Sequence, residues 1–177
     1  MRLFIAIQFP EAIKNILTDS IAQLRKAAIK GNFTRRENLH LTVVFIGETD
    51  QEARIQEVMK RIENASFRLT MGGFGHFPRR GGDIYWVGVD SNLELTNLYQ
   101  ELYGRLSSQG LSLENRPYRP HLTLGRRIVV PENFDHRDFS ERIPPMSMKV
   151  EAISLMNSLR INNQLTYKEI YRKELRD

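Results

Sequence analysis

The tripeptide His-Leu-Thr occurs twice in this chain, as His40-Leu41-Thr42 and His121-Leu122-Thr123, about 80 residues apart. Each copy opens an apolar stretch that runs into a glycine, Gly47 in the first case and Gly125 in the second. On a strand, residues i and i+2 share a face. Each histidine therefore projects beside its own threonine, while Leu41 and Leu122 point into the core. Imidazole titrates near neutral pH and serves as either general acid or general base. Two imidazoles on opposite sides of one phosphorus supply a base for the entering oxygen and an acid for the leaving one. Two threonine hydroxyls can bind the non-bridging oxygens between them. Such general acid–base help is worth roughly 10²–10⁴-fold per group. No step of that chemistry calls for a metal.

One His-x-Thr on a strand is ordinary packing; the duplication makes it informative. Other chemistries are poorly represented. There is no His-Glu-x-x-His, no carboxylate at strand-facing spacing beside either histidine, and no Gly-x-Ser-x-Gly. We therefore expect neither a metal nor another cofactor. The chain has no cysteine, which excludes disulfides, thiolate nucleophiles and cysteine metal sites. Lys and Arg number 26 against 21 Asp and Glu, a formal charge of +5 that suits an anionic ligand such as RNA. The apolar run Leu3–Ile7 is too short for a signal-peptide core or a membrane span. We expect a cytoplasmic protein with no membrane partner.

The elements that position the motifs follow from periodicity. A strand is predicted over 2–9, then a helix from Pro10 with Ile13, Leu17, Ile21 and Leu24 on one face, ending at Gly31. A strand over 38–46 carries His40. A short helix capped by Asp50 runs to Ile62. Strands over 66–71 and 84–89 flank a Gly- and Arg-rich loop over 74–83. A helix over 92–108 and a strand over 121–126 follow. Residues 131–145 read as loop with at most a short helix, and the last strands lie over 148–156 and 165–171.

This order repeats. His40 lies 30 residues after Pro10, and His121 lies 29 after Asn92. Trp86 and Tyr167 each lie 46 residues after the histidine of their own half. The 177 residues thus read as one bilobal domain with approximate halves 10–90 and 92–172, related by a pseudo-twofold axis. If so, the two His-Thr pairs face each other across a cleft.

The chain is similar to the 2H phosphoesterases, and most closely resembles their RNA 2′,3′-cyclic phosphodiesterases, once called 2′-5′ RNA ligases. The residues that carry the resemblance are Met1–Ile7, Glu37-Asn38-Leu39-His40-Leu41-Thr42, Ile84–Val89 and Tyr118-Arg119-Pro120-His121-Leu122-Thr123-Leu124-Gly125-Arg126. The resemblance implies an α+β fold in which two antiparallel sheets flank a central cleft, with helices outside. It implies metal-independent opening of a 2′,3′-cyclic phosphate at an RNA end to a 2′-phosphate, with weak reverse 2′-5′ ligation. It makes His40 the proton donor and His121 the acceptor, an assignment that the near-symmetric halves leave open. Thr42, Thr123 and a basic residue, here Arg126, would bind phosphate. Strict alternation puts Arg126 on the face opposite His121; a bulge at Gly125 would turn it back. The corresponding place in the first half holds Phe45.

The motifs read only the phosphate. A small cyclic nucleotide or an ADP-ribose cyclic phosphate is an alternative substrate, and a non-catalytic RNA-binding module is an alternative role. A monomer is expected. Phe9 and Tyr118 are candidates to stack on a base, or else to pack in the core. Arg79, Arg80, Arg116 and Arg119 are candidates to line an RNA groove, or else to be solvated loop residues. His76 and His136 lack the paired pattern and read as surface or packing residues.

Overall fold

The computed structural model describes residues 1–177. In chain order the elements are β1 (Arg2–Gln8), α1 (Glu11–Ala27), β2 (Lys30–Phe33), a 3₁₀ turn (Arg36–Asn38), β3 (His40–Glu48), α2 (Glu52–Lys60), β4 (Phe67–Phe77), β5 (Asp83–Val89), α3 (Leu93–Ser108), β6 (His121–Val129), α4 (His136–Arg142), β7 (Met146–Val150), β8 (Ala152–Ile161) and β9 (Gln164–Glu174). They form an α+β fold of two antiparallel sheets, with strand orders β3-β1-β8-β9 and β2-β6-β5-β4-β7.

Each sheet packs its outer face on helices. Helix α3 lies on β3, and α2 lies against α3 and β9; α1 lies on β2 and β6, and α4 on β4. Ile13, Leu17, Ile21 and Leu24 form the buried stripe of α1, and Leu95, Leu98, Leu102 and Leu106 that of α3. Leu41 and Leu122, the middle residues of the two tripeptides, are fully buried in the same core. No helix is long and apolar enough to cross a membrane.

Neither sheet is built from one sequence half. Strand β3 of the first half shares a sheet with the β8–β9 hairpin of the second, and β6 shares a sheet with the β4–β5 hairpin of the first. The crossover occurs at Glu151. β7 pairs with β4 in one sheet, and β8 pairs with β1 in the other. The apolar pattern over 148–156 predicts a single strand, yet the chain changes sheets inside it, because both pieces find a pairing edge.

Other boundaries also move. Gly31 does not end α1 but lies inside β2, where a Cβ would come 2.6 Å from Ile128 Cγ1. The missing side chain lets β2 approach β6. Strand β4 runs on to Phe77 through a stretch predicted as loop, since the Trp86 ring lies directly over Gly75 and needs the absent Cβ. Asp50 does not cap α2. Gln51 holds the cap position without a side-chain bond, and its N–H is instead satisfied by Thr49 Oγ1 at 3.1 Å. Asn92 does cap α3, its Oδ1 accepting from Leu95 N at 2.9 Å.

Candidate active site

His40 begins β3 just after the 3₁₀ turn, and His121 begins β6 after an irregular stretch that follows α3. Their rings are anchored alike. His40 Nδ1 lies 2.7 Å from the carbonyl of Asn38, and His121 Nδ1 lies 2.6 Å from that of Arg119, in both cases two residues back. A carbonyl only accepts, so Nδ1 carries the proton and Nε2 is the free nitrogen in each neutral ring. The Nε2 atoms differ. That of His40 is 2.9 Å from Thr42 Oγ1, whereas that of His121 has no partner within the chain.

Both strands contain the same irregularity. Along β1–β3 the pairing passes from Ile5↔Val44 to Ala6↔Thr42 and skips Val43. Along β5–β6 it passes from Tyr85↔Gly125 to Trp86↔Thr123 and skips Leu124. Each skipped residue is the third after its histidine. The extra residue reverses the alternation, so the fifth residue after each histidine returns to the histidine's face. In β3 this is Phe45, which packs against the small cluster of Phe4, Ala6 and Met156. In β6 it is Arg126, and its charge reaches both imidazoles and the Tyr167 phenol.

Aromatic rings fix the imidazoles from the side. Phe4 lies 4.9 Å from His40, and Tyr167 meets it edge-on at 5.1 Å. Phe77 meets His121 edge-on at 5.1 Å, and Trp86 lies at 6.4 Å. Asn38 is buried and uses every group it has. Its Nδ2 donates to the Leu165 carbonyl at 2.8 Å, its Oδ1 accepts from Tyr167 N at 3.3 Å, and its carbonyl holds His40. The 3₁₀ turn is thereby tied to β9, so the four-stranded sheet curls until its last strand touches its first.

Burial lowers both histidines below the ordinary imidazole range. The Asn38 and Arg119 carbonyls oppose the shift, and Arg126 adds to it in each case. His121 further lowers His40, and Arg116 further lowers His121. The two imidazoles thus stand close enough to feel one another, with a guanidinium beside both. An entering phosphate would oppose the cationic contributions and raise both again.

The remaining candidates separate. Phe9 is buried in the core and cannot stack on a ligand. Tyr118 stacks on Tyr99 at 4.2 Å and donates its hydroxyl to the Thr42 carbonyl at 3.1 Å; burial pushes its phenol up. It braces β3, with one ring face taken by Tyr99. Arg80 and Arg119 are exposed and lack ion partners, whereas Arg116 pairs with Glu114 at 2.9 Å. His76 and His136 sit together, 5.1 Å apart, beside Tyr85 on the helix-covered side of the five-stranded sheet. A 440 Å³ hollow between α2 and α3 is lined by none of the site residues.

Several neighbours escape sequence reasoning. Gln8 is the register partner of His40 and so shares its face. Its Nε2 donates to Ser154 Oγ at 3.1 Å and to Glu169 Oε2 at 2.5 Å, and Ser154 Oγ donates to the same oxygen at 2.6 Å. These three residues come from opposite ends of the chain, and no local signal joins them. Tyr167 did leave a trace, in the spacing it shares with Trp86.

Known proteins resemble this arrangement. A sequence model of the 2′-5′ RNA ligase superfamily matches residues 9–162. The RNA 2′,3′-cyclic phosphodiesterase of Thermotoga maritima is 32% identical over 97% of this chain and 94% of its own. The protein of that name from Aeropyrum pernix is 32% identical over 88% and 90%. Among solved structures, E. coli LigT complexed with 3′-AMP superposes with a TM-score of 0.82 at 28% identity, covering 98% of this chain and 97% of LigT.

Proposed function

The chain belongs to the 2′-5′ RNA ligase superfamily of 2H phosphoesterases, and on that premise we propose that it hydrolyses the 2′,3′-cyclic phosphate at an RNA end to a 2′-phosphate. The observation that carries the reading is the matched anchoring of His40 and His121: each holds Nδ1 on the backbone carbonyl two residues back and turns Nε2 to the side of its own threonine, bonded to Thr42 in His40 and unpartnered in His121.

His121 Nε2 has no partner in the chain and is free to take a proton from water. That water attacks phosphorus, the bond from phosphorus to O3′ breaks, and His40 Nε2–H delivers a proton to the departing oxygen. Water has then been added across one P–O bond, and the two histidines have exchanged protonation states. Thr42, Thr123 and Arg126 hold the non-bridging oxygens as charge develops on them. The bulge in β6, which returns Arg126 to the face of His121, supports its part in this. Two imidazoles supply both proton transfers, so no metal ion enters a step. Both come from one chain, so a monomer suffices. With a 5′ hydroxyl in place of water as the attacking group, the same steps open the cyclic phosphate to a 2′-5′ linkage, a weak reaction in dilute solution because water competes.

The test uses an RNA oligonucleotide ending in a 2′,3′-cyclic phosphate, excess EDTA and a His121→Ala control, with phosphorus NMR of the product. Conversion to a 2′-phosphate by the wild type alone supports the whole reading. A 3′-phosphate would reverse the leaving-group assignment. Loss of activity in EDTA would remove the metal-independent mechanism.

A further inference from the structure

We propose that Arg79, in the turn between β4 and β5, binds the backbone phosphate next to the reacting end and makes the site prefer a polyribonucleotide over a single nucleotide. The inference rests on the RNA-end reading above. It starts from a contact chain that the reaction itself does not use. The Arg79 guanidinium lies over the Phe77 ring, 6.0 Å from its centroid, and Phe77 meets the His121 ring at 5.1 Å. The guanidinium is therefore no farther from the imidazole than those two contacts laid end to end. That is the reach of a neighbouring phosphate along an RNA strand.

The turn is built to leave this cation free. Asp83 would be the obvious ion partner, yet both of its oxygens are engaged. Oδ1 accepts from the backbone N–H of Arg79 at 3.0 Å, and Oδ2 meets His76 Nδ1 at 2.7 Å. The Arg79 side chain donates only to the carbonyl of Pro78. The turn cannot drift outward, because Gly82 is packed so tightly on the Arg127 backbone that a Cβ would come within 2.5 Å of it. Arg80, Arg126 and Arg127 are likewise exposed and without carboxylate partners. Arg126 shares the face of His121, and the Arg127 backbone packs on Gly82 of the turn, so these unpaired guanidinium groups belong to the strand and turn next to His121. A polyanion is drawn along these arginines.

The test is equilibrium binding by fluorescence anisotropy. The probes are a short labelled RNA oligonucleotide ending in a 2′-phosphate and, as competitor, the matching nucleoside 2′-monophosphate, which has the same end group but no second phosphate. Arg79→Ala is expected to weaken oligonucleotide binding about fivefold at low salt and to flatten the slope of log affinity against log salt by about 0.7, the value for one single-strand phosphate contact. Nucleoside monophosphate binding is expected to be unchanged, and Arg79→Lys to restore part of the oligonucleotide affinity. Arg137→Ala, which removes an exposed cation on α4 paired with Glu141, is expected to change neither.

Equal weakening of both ligands, no weakening of either, or no preference of the wild type for the oligonucleotide would each overturn the inference. Cyclic-phosphate turnover is measured separately. Binding that follows the prediction without turnover sinks the proposed reaction and leaves the role of Arg79 standing. Turnover without the Arg79 effect does the opposite.

Discussion

Tyr167 stands edge-on to His40 with the ring centroids 5.1 Å apart, although the two residues come from different halves of the sequence. The partner relationship runs the other way: Trp86, from the first half, lies 6.4 Å from His121 of the second. The exchange of hairpins between the halves is what brings each histidine an aromatic wall. Removing the wall should loosen the ring rather than the substrate. Tyr167→Ala is expected to lower kcat by about 10²-fold, the cost of misplacing a catalytic group by an ångström, with a much smaller change in KM. Tyr167→Phe keeps the ring and should remain close to wild type. Steady-state kinetics of the two variants decides this, since equal losses would shift the role to the hydroxyl.

The pH dependence follows from burial. Both imidazoles are lowered from the ordinary value, so the group that must be protonated and the group that must be neutral both titrate on the acid side. kcat/KM reports the free protein. Its profile is expected to be bell-shaped with the maximum below about pH 6.5, the unperturbed imidazole value. The two limbs belong to the coupled pair rather than to single residues. kcat reports the bound state, where phosphate raises both groups, so its maximum should lie at higher pH. Rate measurements from pH 4.5 to 9 check both, and coincident maxima would contradict the argument.

The same shifts bear on stability. A histidine lowered on folding binds its proton more readily in the unfolded chain, so stability rises with pH across that window. The contribution is complete above the unfolded value, near pH 6.5, and is lost as pH falls toward the folded one. His40→Gln removes the most buried of these groups. Its denaturation midpoint should fall less than the wild type's between pH 7 and pH 5, as urea titrations at the two pH values would show.

Asn38 is expected to matter for structure before chemistry. Asn38→Ala leaves the Tyr167 N–H without its acceptor and removes one of two donors to the Leu165 carbonyl, which keeps Arg35 Nη1 at 3.2 Å. One unsatisfied buried group costs roughly 1–3 kcal/mol, so a loss of that order is expected in urea denaturation. Because the same residue holds the 3₁₀ turn that precedes His40, activity should fall further than unfolding accounts for under native conditions.

Gly125 tests the bulge. A Cβ there would lie 2.7 Å from Ile128 Cδ1 and 2.9 Å from the carbonyl of Asn32. Gly125→Ala should therefore push β2 away from β6 and destabilise the fold by roughly 1–3 kcal/mol, the usual cost of overpacking. It should also raise KM, since Arg126 is displaced with the strand. A variant with normal stability and raised KM would show that the bulge serves Arg126 alone.

The two motifs, the two long helices and the neighbouring strands are local properties. Side-chain period and capping groups decide them within a few residues, as at Asn92 and in the stripe of α3. The pairing of His with Thr on one face follows from strand period alone. What needed the whole molecule was pairing. Sheet membership depends on which distant edge is free, so the pattern over 148–156 gave no sign that the chain changes sheets at Glu151. Gly31 and Gly75 look like breaks in sequence and are close contacts in space. Arg126 is the clearest case. Its spacing from His121 points it away from the site, and only the register slip against β5, a relation between two strands, turns it back. The residue types that can do the chemistry are set locally by the chain. Their convergence, and the burial and charge that tune them, arise from contacts between segments that the sequence keeps far apart.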